Sequence, residues 1–211
     1  MDNMTQILLV EGNDDWHLIC NICAVFNVAK TFDIVDCKGI ENLLKGLPVR
    51  LKGSGEIKTI GIVMDVDFDI QSRWNKLCQI FRKSNLYGDI PVECPRGGAI
   101  IHPNSAEDIK IGVWIMPDNN NKGMLEDFAA FLIPDGDCLL HEVDKVLANI
   151  EERGLNKYKS IHHSKARIHT WLAWQEVPGT PMGAAVTKKY LSATPPICQD
   201  FVDWLNALYN K

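Results

Sequence analysis

Apolar and polar residues alternate along the first half of this chain in two rhythms. Gln6-Ile-Leu-Leu-Val10 is a short apolar run that predicts a strand. The stretch 13–27 has helical periodicity, with Asn13 as its expected N-cap and Asp14 and Asp15 in the first turn. Phe32-Asp-Ile-Val-Asp36 predicts a second strand, and residues 40–47, with Leu43, Leu44 and Leu47 on one face, a second helix. After the turn cluster Lys52-Gly-Ser-Gly-Glu56, the apolar run 58–64 predicts a strand buried on both faces. A helix over 70–83 comes next, with Ile70, Trp74, Leu77, Cys78 and Phe81 on its apolar face. Strand and helix in strict alternation is the pattern of a doubly wound α/β sheet.

The rhythm then changes. Residues 92–121 carry apolar runs at Ala99–Ile101 and Ile109–Met116, which predict a fourth strand and a hairpin. Helices are expected over 123–133, 137–151, 164–175, 181–191 and 196–209, punctuated by Pro178, Pro181, Pro195 and Pro196. The expected organisation is one compact domain over 1–211. Its α/β core covers 6–133, with a Rossmann-like, mostly parallel central sheet flanked by helices, and a helical C-terminal extension covers 134–211.

Two of the predicted strands end in acid. The run ending at Met64 passes directly into Asp65-Val66-Asp67-Phe68-Asp69, and alternation on an extended backbone points its three carboxylates to one side. Like charges so close repel unless a cation or protons compensate them. The first strand runs into Glu11-Gly12-Asn13-Asp14-Asp15. Gly12 permits a sharp turn there, which brings Glu11 and Asp15 to one locus and leaves Asp14 turned away. Taken singly, Asp14 and Asp15 need only be favourable charges at a helix start, and Asp65–Asp69 only a solvated turn. Open α/β sheets, however, bind ligands at the carboxyl ends of their strands, and carboxylates are the ligands that Mg²⁺ or Mn²⁺ takes. Together the two acidic ends predict a divalent-metal site.

Composition narrows the partners. A chain of 211 residues, 46% hydrophobic and 23% charged, can bury a full core. Its net charge of −5 excludes a polybasic nucleic-acid binder, so a phosphate-rich substrate would need metal ions or a local basic patch. Seven scattered cysteines predict no disulfide framework; Cys20 and Cys23 read as small apolar residues on a helix. The acidic, polar N-terminus and the lack of any apolar run near ~20 residues predict a cytoplasmic protein with no membrane partner.

An apolar strand ending in Glu11-Gly12 with Asp15 four residues after the Glu, and a later strand ending in Asp65-x-Asp67, is similar to the Toprim domain of topoisomerases, bacterial primases and overcoming-lysogenisation-defect (OLD) nucleases. The Glu-Gly-x-x-Asp form resembles the nuclease branch. The segment Val113–Phe128 resembles small stand-alone bacterial Toprim-like proteins filed as a family of unknown function. The resemblance implies Glu11 as general acid/base or metal ligand, Asp65 and Asp67 as Mg²⁺ ligands, and Asp15 as support for a second ion. It also implies a further acid at Glu126 and a phosphate-binding or charge-stabilising lysine, for which Lys165 is the candidate. Asp69 stays an outer candidate.

The chain departs from the better-known members. It lacks a recognisable tyrosine nucleophile context, a zinc-binding cysteine cluster and a GxxxxGK[ST] loop, so any ATPase would be a separate partner. The expected activity is a Mg²⁺- or Mn²⁺-dependent phosphodiesterase acting on nucleic acid. The alternative is a non-catalytic Toprim-like module that binds metal or nucleic acid and works with a partner. A receiver-like phosphoacceptor fits poorly, because the matching Ser/Thr and Lys strand ends are missing.

Overall fold

Among the described residues, short runs of branched apolar residues make five strands: β1 (Gln6–Val10), β2 (Asp33–Asp36), β3 (Thr59–Met64), β4 (Ala99–Ile101) and β5 (Lys110–Ile115). They form one sheet in the order β2-β1-β3-β5-β4, parallel throughout except for β4, which pairs antiparallel with β5. The computed structural model describes residues 5–53, 56–66 and 69–210. All six positions of β3 are buried, as its unbroken apolar run requires of a central parallel strand. From β1 the chain passes to β2 on one side and then crosses to β3 on the other. The strand order therefore reverses between β1 and β3, the switch point at which such sheets open a crevice.

Eight α-helices cover the sheet among the described residues: α1 (Asn13–Val25), α2 (Ile40–Leu51), α3 (Ile70–Ser84), α4 (Leu125–Phe131), α5 (Cys138–Glu152), α6 (His163–Ala173), α7 (Met182–Thr187) and α8 (Pro196–Tyr209). Alternate residues of β1 serve opposite faces. Ile7 and Leu9 join Ile60, Ile62, Ile111 and Val113 against α2 and α3. Leu8 and Val10 join Val63 and Trp114 against α1 and the helices from α4 to α8. None of the helices is long and apolar enough to cross a membrane among the described residues.

Several boundaries differ from the sequence pattern for local reasons. The N-cap of α1 is Gly12, not Asn13, because Asp15 Oδ2 accepts the Gly12 amide at 3.1 Å and draws Asn13 into the first turn. Helix α2 continues through Pro48 to Leu51, burying Leu47 and Leu51. Helix α7 stops at Thr187, ahead of Lys189 in the left-handed region.

The last helix lies directly on the sheet. Tyr209 Oη donates to the Ile7 carbonyl at 2.7 Å, and Trp204 Nε1 to the Ala99 carbonyl at 3.1 Å. That approach depends on Gly61 in β3 and Gly112 in β5, where an added Cβ would run into Tyr209 Oη and Leu208 respectively.

Candidate metal centre

The acidic residues converge because two of them stand at the carboxyl ends of the adjacent strands β1 and β3. Glu11 comes directly after Val10, and its carbonyl accepts the Gly39 amide at 2.7 Å, which extends the pairing beyond β2 and holds the strand end. Asp65 comes directly after Met64. Its amide donates to Glu11 Oε1 at 2.8 Å, linking the two strand ends across the switch point. Asp15, in the first turn of α1, is 6% exposed.

Helix α4 supplies the fourth acid. Val66 and Gly123 exchange two backbone hydrogen bonds, of 3.0 and 2.9 Å, and this brings the start of α4 against β3. Leu125 N then donates to Asp65 Oδ1 at 2.9 Å. A Cβ on Gly123 would sit 2.8 Å from Asp127 Oδ2 and 3.0 Å from Pro117 Cδ, so the approach needs glycine. The asparagine-rich loop before it is an organiser. Asn119 Oδ1 accepts the Ile115 amide at 2.7 Å, and its Nδ2 donates to the Arg96 carbonyl at 3.1 Å. Glu126 is 3% exposed and accepts Lys165 Nζ, from α6, at 2.9 Å.

Burial and mutual repulsion dominate the electrostatics. Burial first, then the charges of Asp15, Glu11 and Glu126, push the Asp65 carboxyl up to about 9, against the pull of the Leu125 amide. Burial and Glu11 push Asp15 up to about 7, although the Gly12 amide opposes them. Lys165 is held above its ordinary range. Burial works against its charge, but the Glu126 contact, reinforced by Asp14 and Asp65, outweighs that. Asp15 Oδ1 is buried with no hydrogen-bond partner.

These groups line an open cleft of about 510 Å³, with Asp36, Lys38 and His162 at its walls. The donor set suits a hard divalent cation: carboxylate oxygens, one of them an orphan. Among the described residues, however, no three His, Cys, Asp or Glu side chains are already gathered in a metal-holding cluster. Glu126 is turned onto Lys165, while Asp65 Oδ1 and Glu11 Oε1 accept backbone amides. An ion would have to draw them in. A second hollow of about 710 Å³ beside α4 also carries carboxylates, but Asp127, Asp137 and Asp144 there are already held by hydrogen bonds, Asp144 by the Arg167 guanidinium at 2.6 and 2.9 Å.

Of the residues singled out from sequence, Glu11, Asp15, Asp65, Glu126 and Lys165 share the cleft. Asp67 lies outside the described residues. Asp69 is the N-cap of α3, accepting the amides of Gln71 and Ser72 at 3.2 and 3.0 Å, and does not line the cleft. Asp14 is exposed at the rim, as its place in the turn predicts. Lys38 was missed. It stands just past the acidic end of β2 at a positive φ of 59°, its Nζ 2.5 Å from Asp36 Oδ2. The available signal was that β2, too, ends in an acid.

The profile of the family described as "Protein of unknown function (DUF3226)" matches residues 5–210, and the chain belongs to that family. No curated protein and no solved structure matches the chain significantly.

Proposed function

We propose that this DUF3226 member is a Mg²⁺- or Mn²⁺-dependent phosphodiesterase acting on nucleic acid, with a Toprim-like core. One observation carries the reading. At the sheet's switch point, the buried Asp15 and the half-buried Glu11 and Asp65 lie within one another's fields, and Asp15 Oδ1 has no hydrogen-bond partner. Concentrating carboxylates in this way opposes folding unless a cation or protons compensate their charge.

Glu11, Asp15 and Asp65 would hold the ion, joined through the Toprim resemblance by Asp67. A divalent ion bound there supplies an activated water and stabilises the leaving oxygen. The remaining work falls to the chain's own groups. Glu11 is the acid/base candidate, its carboxylate oriented by the Asp65 amide. Lys38 and Lys165 line the cleft, and each can meet a phosphate oxygen on a chain whose net charge would otherwise repel it.

The test is a cleavage assay on single-stranded DNA, duplex DNA and RNA, with and without Mn²⁺ or Mg²⁺. Metal-dependent cleavage is expected, reduced on the order of a hundredfold or more by Asp65→Asn or Glu11→Gln. Mn²⁺ binding without cleavage of any substrate would instead indicate the non-catalytic module working with a separate partner. Neither binding nor cleavage would end both readings.

A further inference from the structure

Glu126 and Lys165 are unequally fixed. The Glu126 side chain is 4% exposed at the cleft, whereas Lys165, 49% exposed, reaches it along a flexible stem. The helix that carries Lys165 does not depend on that contact. Ser164 Oγ donates to Asp127 Oδ1 at 2.5 Å, His163 Nδ1 meets Glu151 at 2.7 Å, and Arg167 forks onto Asp144. The start of α6 is thus pinned by the residues on either side of Lys165, and the ammonium can leave without undocking the helix. The buried Asp15 Oδ1, in the same cleft, has no hydrogen-bond partner.

We propose that the Lys165 ammonium is the resident occupant of a second cation position, beside Glu126 in the cleft that Asp15 and Asp65 line. A divalent ion enters that position only when the ammonium swings out, and the displaced ammonium is then free for a substrate phosphate. This rests on the reading of the cleft as a metal centre. It also gives a physical reason why no three acids are already gathered among the described residues: the lysine holds one of them.

The experiment counts Mn²⁺ by calorimetry and electron paramagnetic resonance on the wild-type chain, Lys165→Met, Lys165→Arg and the double variant Lys165→Met/Glu126→Gln, each checked for folding by circular dichroism. Lys165→Met is expected to bind one more Mn²⁺ than the wild type, or to tighten its weaker step by roughly tenfold or more, since a competing charge has gone. Lys165→Arg, which keeps the charge, should behave as wild type, and adding Glu126→Gln should remove the gain. A measurement without substitutions runs beside it. In a Mg²⁺ titration of the wild-type protein, the Lys165 side-chain NMR signal should move with the second binding step and not the first. Identical Mn²⁺ titrations for wild type and Lys165→Met, or a lysine signal that moves with the first step, would overturn the inference. If the wild type binds Mn²⁺ and cleaves while Lys165→Met titrates identically, only this inference fails. If neither binds Mn²⁺, the metal-centre reading fails with it.

Discussion

The Asp65 side chain serves two demands that conflict. One oxygen accepts the Leu125 amide and so ties α4 to β3, yet its charge is forced in among other acids. Because the folded carboxyls of Asp15 and Asp65 lie at about 7 and about 9, against 3.8 when unperturbed, the native state binds more protons than the unfolded one between those values. Their contribution to stability is full below the unfolded value of 3.8 and is lost as pH rises, first through about 7 and then through about 9. Urea midpoints of the metal-free protein should therefore fall from about pH 5 to about pH 9, and added Mn²⁺ should flatten the fall, because binding favours the ionised acids. A level metal-free profile would contradict this. Asp65→Asn keeps the acceptor for Leu125 and removes the charge, so it should raise metal-free stability at alkaline pH by about 1–3 kcal/mol while abolishing the Mn²⁺-induced rise in Tm. At this scale Glu11, Asp15 and Asp65 were legible, because a strand end fixes where its next residue points. Lys38 was legible only in part: the acid that ends β2 marks the strand end, but the lysine's position depends on a left-handed turn that the residue type does not announce.

At the scale of elements, the start of α4 is the decisive placement, and it hinges on Gly123. Gly123→Ala would force a Cβ against Asp127 Oδ2 and Pro117, pushing α4 away from Val66 and Asp65. The expected cost is about 1–3 kcal/mol in denaturant unfolding, together with weaker Mn²⁺ binding. A variant with unchanged stability and unchanged binding would show that α4 does not depend on this close approach. The strands and amphipathic helices were readable because burial imprints a period of 2 or 3.6 on the sequence. The close seat of α8 was not. In sequence, Gly61 and Gly112 are merely gaps in apolar runs, and only the folded sheet reveals that both make room for one helix. Asp69 was misleading for a related reason. Alternation groups it with Asp65, but the first turn of α3 claims its carboxylate as a cap.

At the scale of the whole molecule, the α/β class and mostly parallel sheet followed from the alternating pattern, and the switch point between β1 and β3 from the strand order. How the later helices share the work could not be read from their patterns, because an apolar stripe does not name the surface it covers. They divide it unevenly: α6 brings Lys165 to the cleft, and α8 closes one face of the sheet beside Leu8, Val63 and Trp114. A chain truncated before Pro196 would uncover the part of that face on which α8 sits. It should collect as insoluble aggregate on expression, and a soluble, monomeric product with native near-ultraviolet circular dichroism would refute the assignment.

The hydrogen bond from Tyr209 to Ile7 spans 202 positions of sequence. During synthesis, β1 leaves the ribosome long before the residue that completes its covering is translated. Until then its apolar face must be tolerated by the nascent chain or sheltered by a chaperone. Because Lys165 emerges after Glu126, that carboxylate spends an interval without the ammonium that meets it in the folded chain. A ribosome-bound fragment that ends before Lys165 would thus meet cellular cations with Glu126 still waiting for its ammonium.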